Sequence, residues 1–316
     1  MALIPQRALV PFYLALNAFS SITIVFINKW IFEDHDFRAS TTLTLIHFTM
    51  TFLGLLLCLG CGMFEFKRLS LMRVLPLSFS FCGFVMLTNM SLLHNNVGFY
   101  QLVKVLTTPL LVIMETFIYR QSFSAKIKLS LGVICLGVAI ATVTDSEVTL
   151  GGAIIAFSAL LVTCQYQIWV GTKQKELECD SYQLLLYQAP LSAVMLLPIA
   201  YLSEGPTLIF PCTDTLMAIF FSGVVAFLVN ISIFLVIGKT SPVTYNVLGH
   251  FKLCIILTFG YIFFGGDMNN KKLAGVVLTL AGVFWYTHLK TATRMAAEEL
   301  SVSKEMVKDD TDKSRV

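Results

Sequence analysis

Two lysines are notable because each lies inside a long apolar stretch. Lys104 falls within residues 97–119 and Lys252 within residues 243–264. A charged side chain in hydrocarbon costs about 2.5–3.5 kcal/mol on insertion scales, so each lysine needs a partner or a function. Tyr100 precedes Lys104 by four residues and Tyr245 precedes Lys252 by seven, which places each pair on one helical face. These spacings predict a cavity lined by two ammonium groups and two phenols, which suits a dianion such as a phosphate group.

Other polar side chains lie close to prolines in apolar stretches. We expect Tyr187, Gln188, Tyr245 and Asn246 to contact a base or a sugar, and they precede Pro190 or follow Pro242. An alternative is that such groups only satisfy carbonyls freed by a proline bend. Further candidate site residues are Thr107 and His250 as ligands and Glu115 as a gate. A histidine within a span also commonly forms an interhelical hydrogen bond, which leaves a second interpretation open for His250.

The composition excludes several classes of protein. Of 316 residues 56% are hydrophobic and only 13% are charged, whereas soluble domains have about 25% charged residues. A water-soluble globule, a disordered chain and a nucleic-acid binder are therefore excluded. Since about 20 residues span a bilayer as a helix, ten apolar stretches predict ten membrane spans. They are residues 8–32, 40–63, 72–93, 97–119, 127–144, 149–171, 182–203, 214–237, 243–264 and 272–290.

The distribution of basic residues predicts the orientation in the membrane. Most lysines and arginines fall in the loops of one face, which is the cytosolic face by the positive-inside rule. Both termini belong to that face, and residues 291–316 are expected to form a disordered cytosolic tail. The spans have no Asp in their interior and no metal-ligand spacing, so we expect no enzyme activity, no metal and no cofactor.

The two halves of the chain echo each other at an offset of about 140 residues. Phe81-x-Gly83-x-Val85 recurs as Phe221-x-Gly223-x-Val225, and Asn89-x-Ser91 recurs as Asn230-x-Ser232. The pattern predicts an all-α membrane protein of two five-helix repeats, residues 8–144 and 149–290. Because each repeat has an odd number of spans, the second copy is inverted, as in alternating-access transporters. Glycines in spans five and ten are expected to pack either within one subunit or between two, so a homodimer stays open.

Several segments resemble the nucleotide-sugar and triose-phosphate translocator family of the drug/metabolite transporter superfamily, in particular the E subfamily of solute carrier family 35. The resemblance covers nearly the whole chain and is carried by Tyr100–Pro109, Tyr187–Pro190, Ser241–Asn246 and Gly249–Lys252. It implies ten helices in two inverted repeats and exchange of a cytosolic nucleotide sugar for a luminal nucleoside monophosphate. It also implies a Golgi or endoplasmic reticulum membrane as the location.

The resemblance further implies that Lys104, Tyr245 and Lys252 match phosphate-binding positions of the triose-phosphate branch. That branch has an arginine directly after the second lysine, where this chain has Leu253. Spans seven and nine also depart from the pattern of guanosine diphosphate-sugar carriers, so a uridine diphosphate (UDP) sugar is the expected substrate. The rivals are a carrier of phosphorylated metabolites or other organic anions and a non-transporting scaffold or accessory protein. The sequence leaves open the sugar, the base and the oligomeric state.

Overall fold

The structure is a computed structural model that describes residues 9–33, 37, 39–95, 97–142, 149–205, 213–264 and 270–313. These residues form ten helices and no strand. The helices are α1 (Leu9–Glu33), α2 (Ser40–Gly60), α3 (Leu71–His94), α4 (Val97–Phe117), α5 (Ala125–Thr142), α6 (Leu150–Glu176), α7 (Ser181–Glu204), α8 (Thr213–Lys239), α9 (Pro242–Phe264) and α10 (Asn270–Lys313). Each predicted stretch coincides with one helix.

The helices form a multi-pass integral membrane protein. Within the described residues seven of them, α1, α2, α3, α6, α7, α8 and α10, are long and apolar enough to cross a membrane. Large apolar side chains such as Phe19, Met72 and Leu202 face outward and are largely exposed. An apolar surface of this kind is stable in contact with lipid. Helices can be placed there because they satisfy the hydrogen bonds of their own backbone.

Packing between the helices follows a regular pairing. Helix α5 packs on α10, α2 on α7, and α4 on α9, while α1 packs on α8 and α3 packs on α6. If five is added to helix numbers 1–5 and subtracted from 6–10, the α1–α8 pair becomes α6–α3. Each of the other three pairs maps onto itself. These five contacts are therefore symmetric between the first five helices and the last five.

The α5–α10 contact depends on glycine. A Cβ atom at Gly137 would lie 2.6 Å from the backbone nitrogen of Thr279, and one at Gly275 would lie 2.5 Å from that of Ala141. Small residues allow membrane helices to approach this closely. The glycines of α5 and α10 therefore pack against each other within one chain.

Helix ends near the loops are capped by side chains. The Glu204 carboxylate, at the end of α7, accepts hydrogen bonds from the backbone nitrogens of Thr41 (2.6 Å) and Thr42 (2.9 Å) in the first turn of α2. These donors have no partner within their own helix. The bonds join α2 and α7 on the face opposite the basic loops.

The end of α10 differs from the sequence prediction. Residues 291–313, expected to be disordered, continue α10 as helix. The prediction relied on the mixed charge of this segment. It gave too little weight to the alanine, glutamate, methionine and lysine residues there, which are strong helix formers.

Candidate functional site

A central cavity of about 260 Å³ lies among six helices, α1, α2, α3, α6, α8 and α9. Its wall combines aromatic rings with a few polar groups. The lining residues are Ile24, Thr44, His47, Phe48, Phe81, Phe84, Val85, Thr163, Tyr166, Gln167, Ala226, Val229, Asn230, Ile233 and Tyr245. Both halves of the chain contribute, so a ligand in this cavity would touch both.

Lys252 lies directly behind this wall. Its ammonium nitrogen is 5.3 Å from the centroid of the Tyr245 ring, and the ring itself lines the cavity. The side chain is buried, with 8% exposure. The same-face arrangement predicted from the seven-residue spacing of Tyr245 and Lys252 is confirmed.

Two polar residues of α1 hold the Lys252 ammonium group. Lys252 Nζ donates to Asn17 Oδ1 at 2.9 Å and to Ser21 Oγ at 3.1 Å. Among the described residues no carboxylate lies within ion-pair distance of this nitrogen. An ammonium group has three donors, and these two contacts use two of them. Its positive charge is solvated by neutral oxygens and is not neutralised by them.

Asn17 joins three helices. Its Nδ2 donates to Ser232 Oγ of α8 at 2.9 Å, while its Oδ1 accepts from Lys252 of α9. The side chain is completely buried. Since each amide atom has a partner, the Asn17 orientation is fixed, and the position of the ammonium group is fixed with it.

Lys104 lies in a second, smaller cavity of about 60 Å³ between α3, α4 and α6. The lysine is exposed along this cavity, and Thr107 lines it one turn further along α4. Phe84 and Thr163 line both this cavity and the central one, so the two are neighbours across a shared wall.

Stacked aromatic rings form the α3–α6 side of the central cavity. The rings of Phe84 and Tyr166 are parallel within 5°, with centroids 6.1 Å apart. Phe81 packs on Tyr166 at 5.5 Å and on Phe48 at 4.3 Å. Phe81 is tilted against both of its neighbours, so the parallel rings of Phe84 and Tyr166 are the part of this wall against which a planar ring could stack.

Comparison with known proteins gives the family. The Triose-phosphate Transporter family matches residues 9–287. The chain belongs to this family. It is a membrane transporter rather than an enzyme.

Relatives from Arabidopsis thaliana match nearly the full length. The chain is 36% identical to UDP-xylose transporter 3, over 94% of this chain and 85% of that protein. It is 37% identical to UDP-xylose transporter 2 (91% and 84%) and 34% identical to UDP-rhamnose/UDP-galactose transporter 2 (86% and 81%). A protein of known crystal structure superposes with a TM-score of 0.68 at 12% identity, over 88% of this chain and 98% of that one. That likeness shows the fold alone.

Within this transporter fold, Asn246 and His250 form interhelical bonds. Asn246 Nδ2 donates to Gln167 Oε1 on the cavity wall and to the Pro242 carbonyl at 3.0 Å. His250 Nε2 lies 2.7 Å from Thr108 Oγ1 and thereby ties α9 to α4. Asn246 adjoins the cavity through Gln167, whereas His250 is buried in the helix contact.

Tyr187 and Gln188 are not brought to the cavity with the other candidates. Tyr187 stacks on Phe66, and its hydroxyl donates to the Lys67 carbonyl at 3.1 Å. Gln188 is fully buried, with Nε2 donating to Ser192 Oγ at 2.8 Å in the same helix. Both residues were predicted as ligands because they precede Pro190 in a recognisable motif. In the structure this part of α7 packs on α2 and α3 and does not line the cavity.

Glu115 and Tyr100 are the remaining predicted site residues. Glu115 is 2% exposed, and one carboxylate oxygen lacks a hydrogen-bond partner among the described residues. Tyr100 lies in α4, and its side chain is outside the described residues.

The expected single cavity lined by two lysines and two phenols therefore differs from the observed arrangement. Lys104 and Lys252 line or border two adjoining cavities instead of one. Sequence reasoning also missed Asn17, Ser21, Tyr166 and Gln167. The sequence does contain an indication of two of these residues. Asn17 and Ser21 are four residues apart and therefore lie on one face of an otherwise apolar helix.

Proposed function

We propose that this protein transports a nucleotide sugar across an internal membrane and prefers a UDP-sugar. The buried Lys252 ammonium group beside the central cavity carries this proposal. It is held by neutral oxygens, without a carboxylate among the described residues, so its charge is available for a phosphate group. The relatives that carry UDP-sugars support the same choice of cargo.

The aromatic wall supports a nucleotide over a small phosphorylated metabolite. The parallel rings of Phe84 and Tyr166 offer a surface for a base, with the amides of Gln167 and Asn230 on the same cavity. Base–aromatic stacking contributes about 1–3 kcal/mol per base. A triose phosphate has no planar ring and would leave this surface unused. Leu253 also replaces the arginine that the triose-phosphate branch carries.

We further propose ten spans in two inverted five-helix repeats, with both termini in the cytosol. The pairing of α1 with α8 and of α3 with α6 supports this arrangement, because a pseudo-twofold axis exchanges the two pairs. The clustering of lysines and arginines on one face supports the orientation. We assign the protein to the Golgi or endoplasmic reticulum membrane on the basis of the family resemblance.

The mechanism follows from which helices hold the ammonium group. Lys252 belongs to α9 of the second half, and its acceptors Asn17 and Ser21 belong to α1 of the first half. A phosphate bound at Lys252 would therefore link the two halves. Closing an empty cavity would leave this charge without a counterion, which is costly in a low-dielectric interior. That cost disfavours return of the empty carrier and so favours strict exchange.

Exchange of two substrates with similar charge is consistent with this mechanism. A nucleotide sugar carries two negative charges on its diphosphate, and a nucleoside monophosphate carries nearly two. The cavity of about 260 Å³ is slightly below the usual range for ligand sites, about 300–1,000 Å³, so cargo entry requires some widening. Movement of Phe84 and Thr163, which line both cavities, would merge the central cavity with its neighbour.

The test is uptake into proteoliposomes. We expect labelled UDP-xylose or UDP-galactose to enter liposomes loaded with uridine monophosphate at least tenfold faster than unloaded ones. Guanosine diphosphate-mannose and triose phosphate serve as comparison substrates. Exchange of triose phosphate with inorganic phosphate, without uptake of any sugar nucleotide, would establish the metabolite carrier instead. Flux no greater than in protein-free liposomes for every substrate would contradict both.

A further inference from the structure

A basic cavity of about 260 Å³ lies outside the transport site, where the α2–α3 loop meets the end of α6. Lys67, Arg68 and Arg73 line it, together with Ser70, the N-cap of α3. The positive end of the α3 dipole therefore adds to three cationic side chains. Such a cluster favours an anionic ligand.

Two acidic residues, Glu176 and Glu178, also line this cavity, and the first is engaged elsewhere. Glu176 forms an ion pair with Lys173 at 2.8 Å. Lys67 Nζ donates to the backbone carbonyl of Glu178 at 2.7 Å, which fixes the lysine at the rim and leaves two of its donors. Among the described residues no carboxylate lies within ion-pair distance of Arg68 or Arg73. Their guanidinium groups can each bind a phosphate through two parallel hydrogen bonds.

An apolar groove adjoins the basic cavity. It runs between α2 and α7 with a volume of about 410 Å³. Phe66 and Leu71 line this groove, while their chain neighbours Lys67 and Ser70 line the basic cavity. One short segment thus separates a charged compartment at the membrane surface from an apolar compartment along the helices.

We propose that this pair of compartments binds an anionic phospholipid of the leaflet on the basic face. Its phosphate group lies on Lys67, Arg68 and Arg73, and one acyl chain lies in the α2–α7 groove. Charge complementarity selects the headgroup, as in other basic pockets between membrane helices. The groove favours a lipid over a soluble phosphate, because a soluble phosphate has no acyl chain to occupy it. Since α2 and α7 belong to different halves, the lipid contacts both halves outside the transport cavity.

Native mass spectrometry of the full chain tests this proposal. Phosphatidylglycerol and phosphatidylcholine with identical acyl chains are compared on wild type and on the double variant Arg68→Gln/Arg73→Gln. We expect wild type to retain phosphatidylglycerol preferentially and the double variant to retain at least fivefold less. Lys126→Gln/Lys128→Gln removes two exposed cations at the start of α5 and serves as the matched control, with retention unchanged.

Two further arms separate a lipid from a free phosphate. Val194→Trp, at an outward-facing position of the groove, should also reduce retention of phosphatidylglycerol. Glycerol 3-phosphate, the soluble headgroup analogue, should not displace the lipid at equal concentration. The proposal is overturned if the arginine variant retains lipid like the control, if phosphatidylcholine is retained equally, if Val194→Trp has no effect, or if glycerol 3-phosphate displaces the lipid.

Discussion

Replacing Asn17 by aspartate should neutralise the ammonium group on which the transport proposal depends. The Asn17 side-chain oxygen lies 2.9 Å from Lys252 Nζ, so a carboxylate of nearly the same shape would form a buried ion pair there. At this distance two unit charges attract by about 6 kcal/mol at an effective dielectric constant of about 20. Desolvation offsets part of this gain. A substrate phosphate would meet a neutralised lysine and a new negative charge.

The expected result is a loss of ligand affinity without a loss of folding. We expect Asn17→Asp to weaken binding of uridine monophosphate at least about 100-fold, equivalent to about 2.7 kcal/mol. Dissociation constants from calorimetry and melting temperatures from the same preparations provide the measurement. The variant should melt close to wild type because the hydrogen bond to Lys252 is kept in charged form. The lost Asn17 donor is replaced when the Ser232 hydroxyl, which now donates to the Val229 carbonyl, turns to donate to the new carboxylate.

Asn17→Leu separates this effect from simple structural damage. Leucine removes the contacts to both Lys252 and Ser232, so it should destabilise the protein by about 1–3 kcal/mol for each buried group left without a partner. A well-folded Asn17→Asp variant that binds uridine monophosphate within threefold of wild type would refute the assigned role of Lys252.

Three further predictions concern other parts of the molecule. Lys104→Gln should lower UDP-sugar flux at least tenfold, measured as initial exchange rates in proteoliposomes, because a charge-assisted hydrogen bond contributes about 1.5–3 kcal/mol; unchanged rates would remove this lysine from the site. Gly137→Leu should lower the melting temperature strongly because its Cβ would meet the Thr279 backbone at 2.6 Å, whereas Gly132→Leu, with open space around it, should not; equal melting temperatures would contradict the packing argument. Tyr187→Phe should leave the KM for nucleotide sugar within about twofold, and a tenfold increase would place this phenol in the site after all.

The sequence predicts the helices well because the length of an apolar stretch depends only on neighbouring residues in the chain. Ten hydrophobic stretches each became a helix, and prolines at 109 and 190 did not end theirs. The division into two repeats stays a prediction, which rests on motifs that recur at an offset of about 140 residues. The tail from 291 to 313 was mispredicted since charge pattern and helix propensity point in opposite directions there.

The site is harder to predict because its contacts join distant parts of the chain. Asn17 and Lys252 are 235 residues apart, and no spacing rule connects them. Apolar spans give a polar side chain a helical face but do not say which neighbouring helix that face meets. Tyr187 illustrates the limit, since a proline motif suggested a ligand contact and packing turned the ring onto Phe66.

The most direct test of the central claim compares uridine monophosphate with uridine on wild type and on Lys252→Gln. The two ligands differ only in the phosphate group, so the ratio of their dissociation constants measures what the protein gains from phosphate. We expect a ratio of at least about 100 for wild type and a decrease of at least tenfold in the variant, since a charge-assisted hydrogen bond is lost. The same ratio in both proteins would contradict the assignment of Lys252 as the phosphate-binding cation.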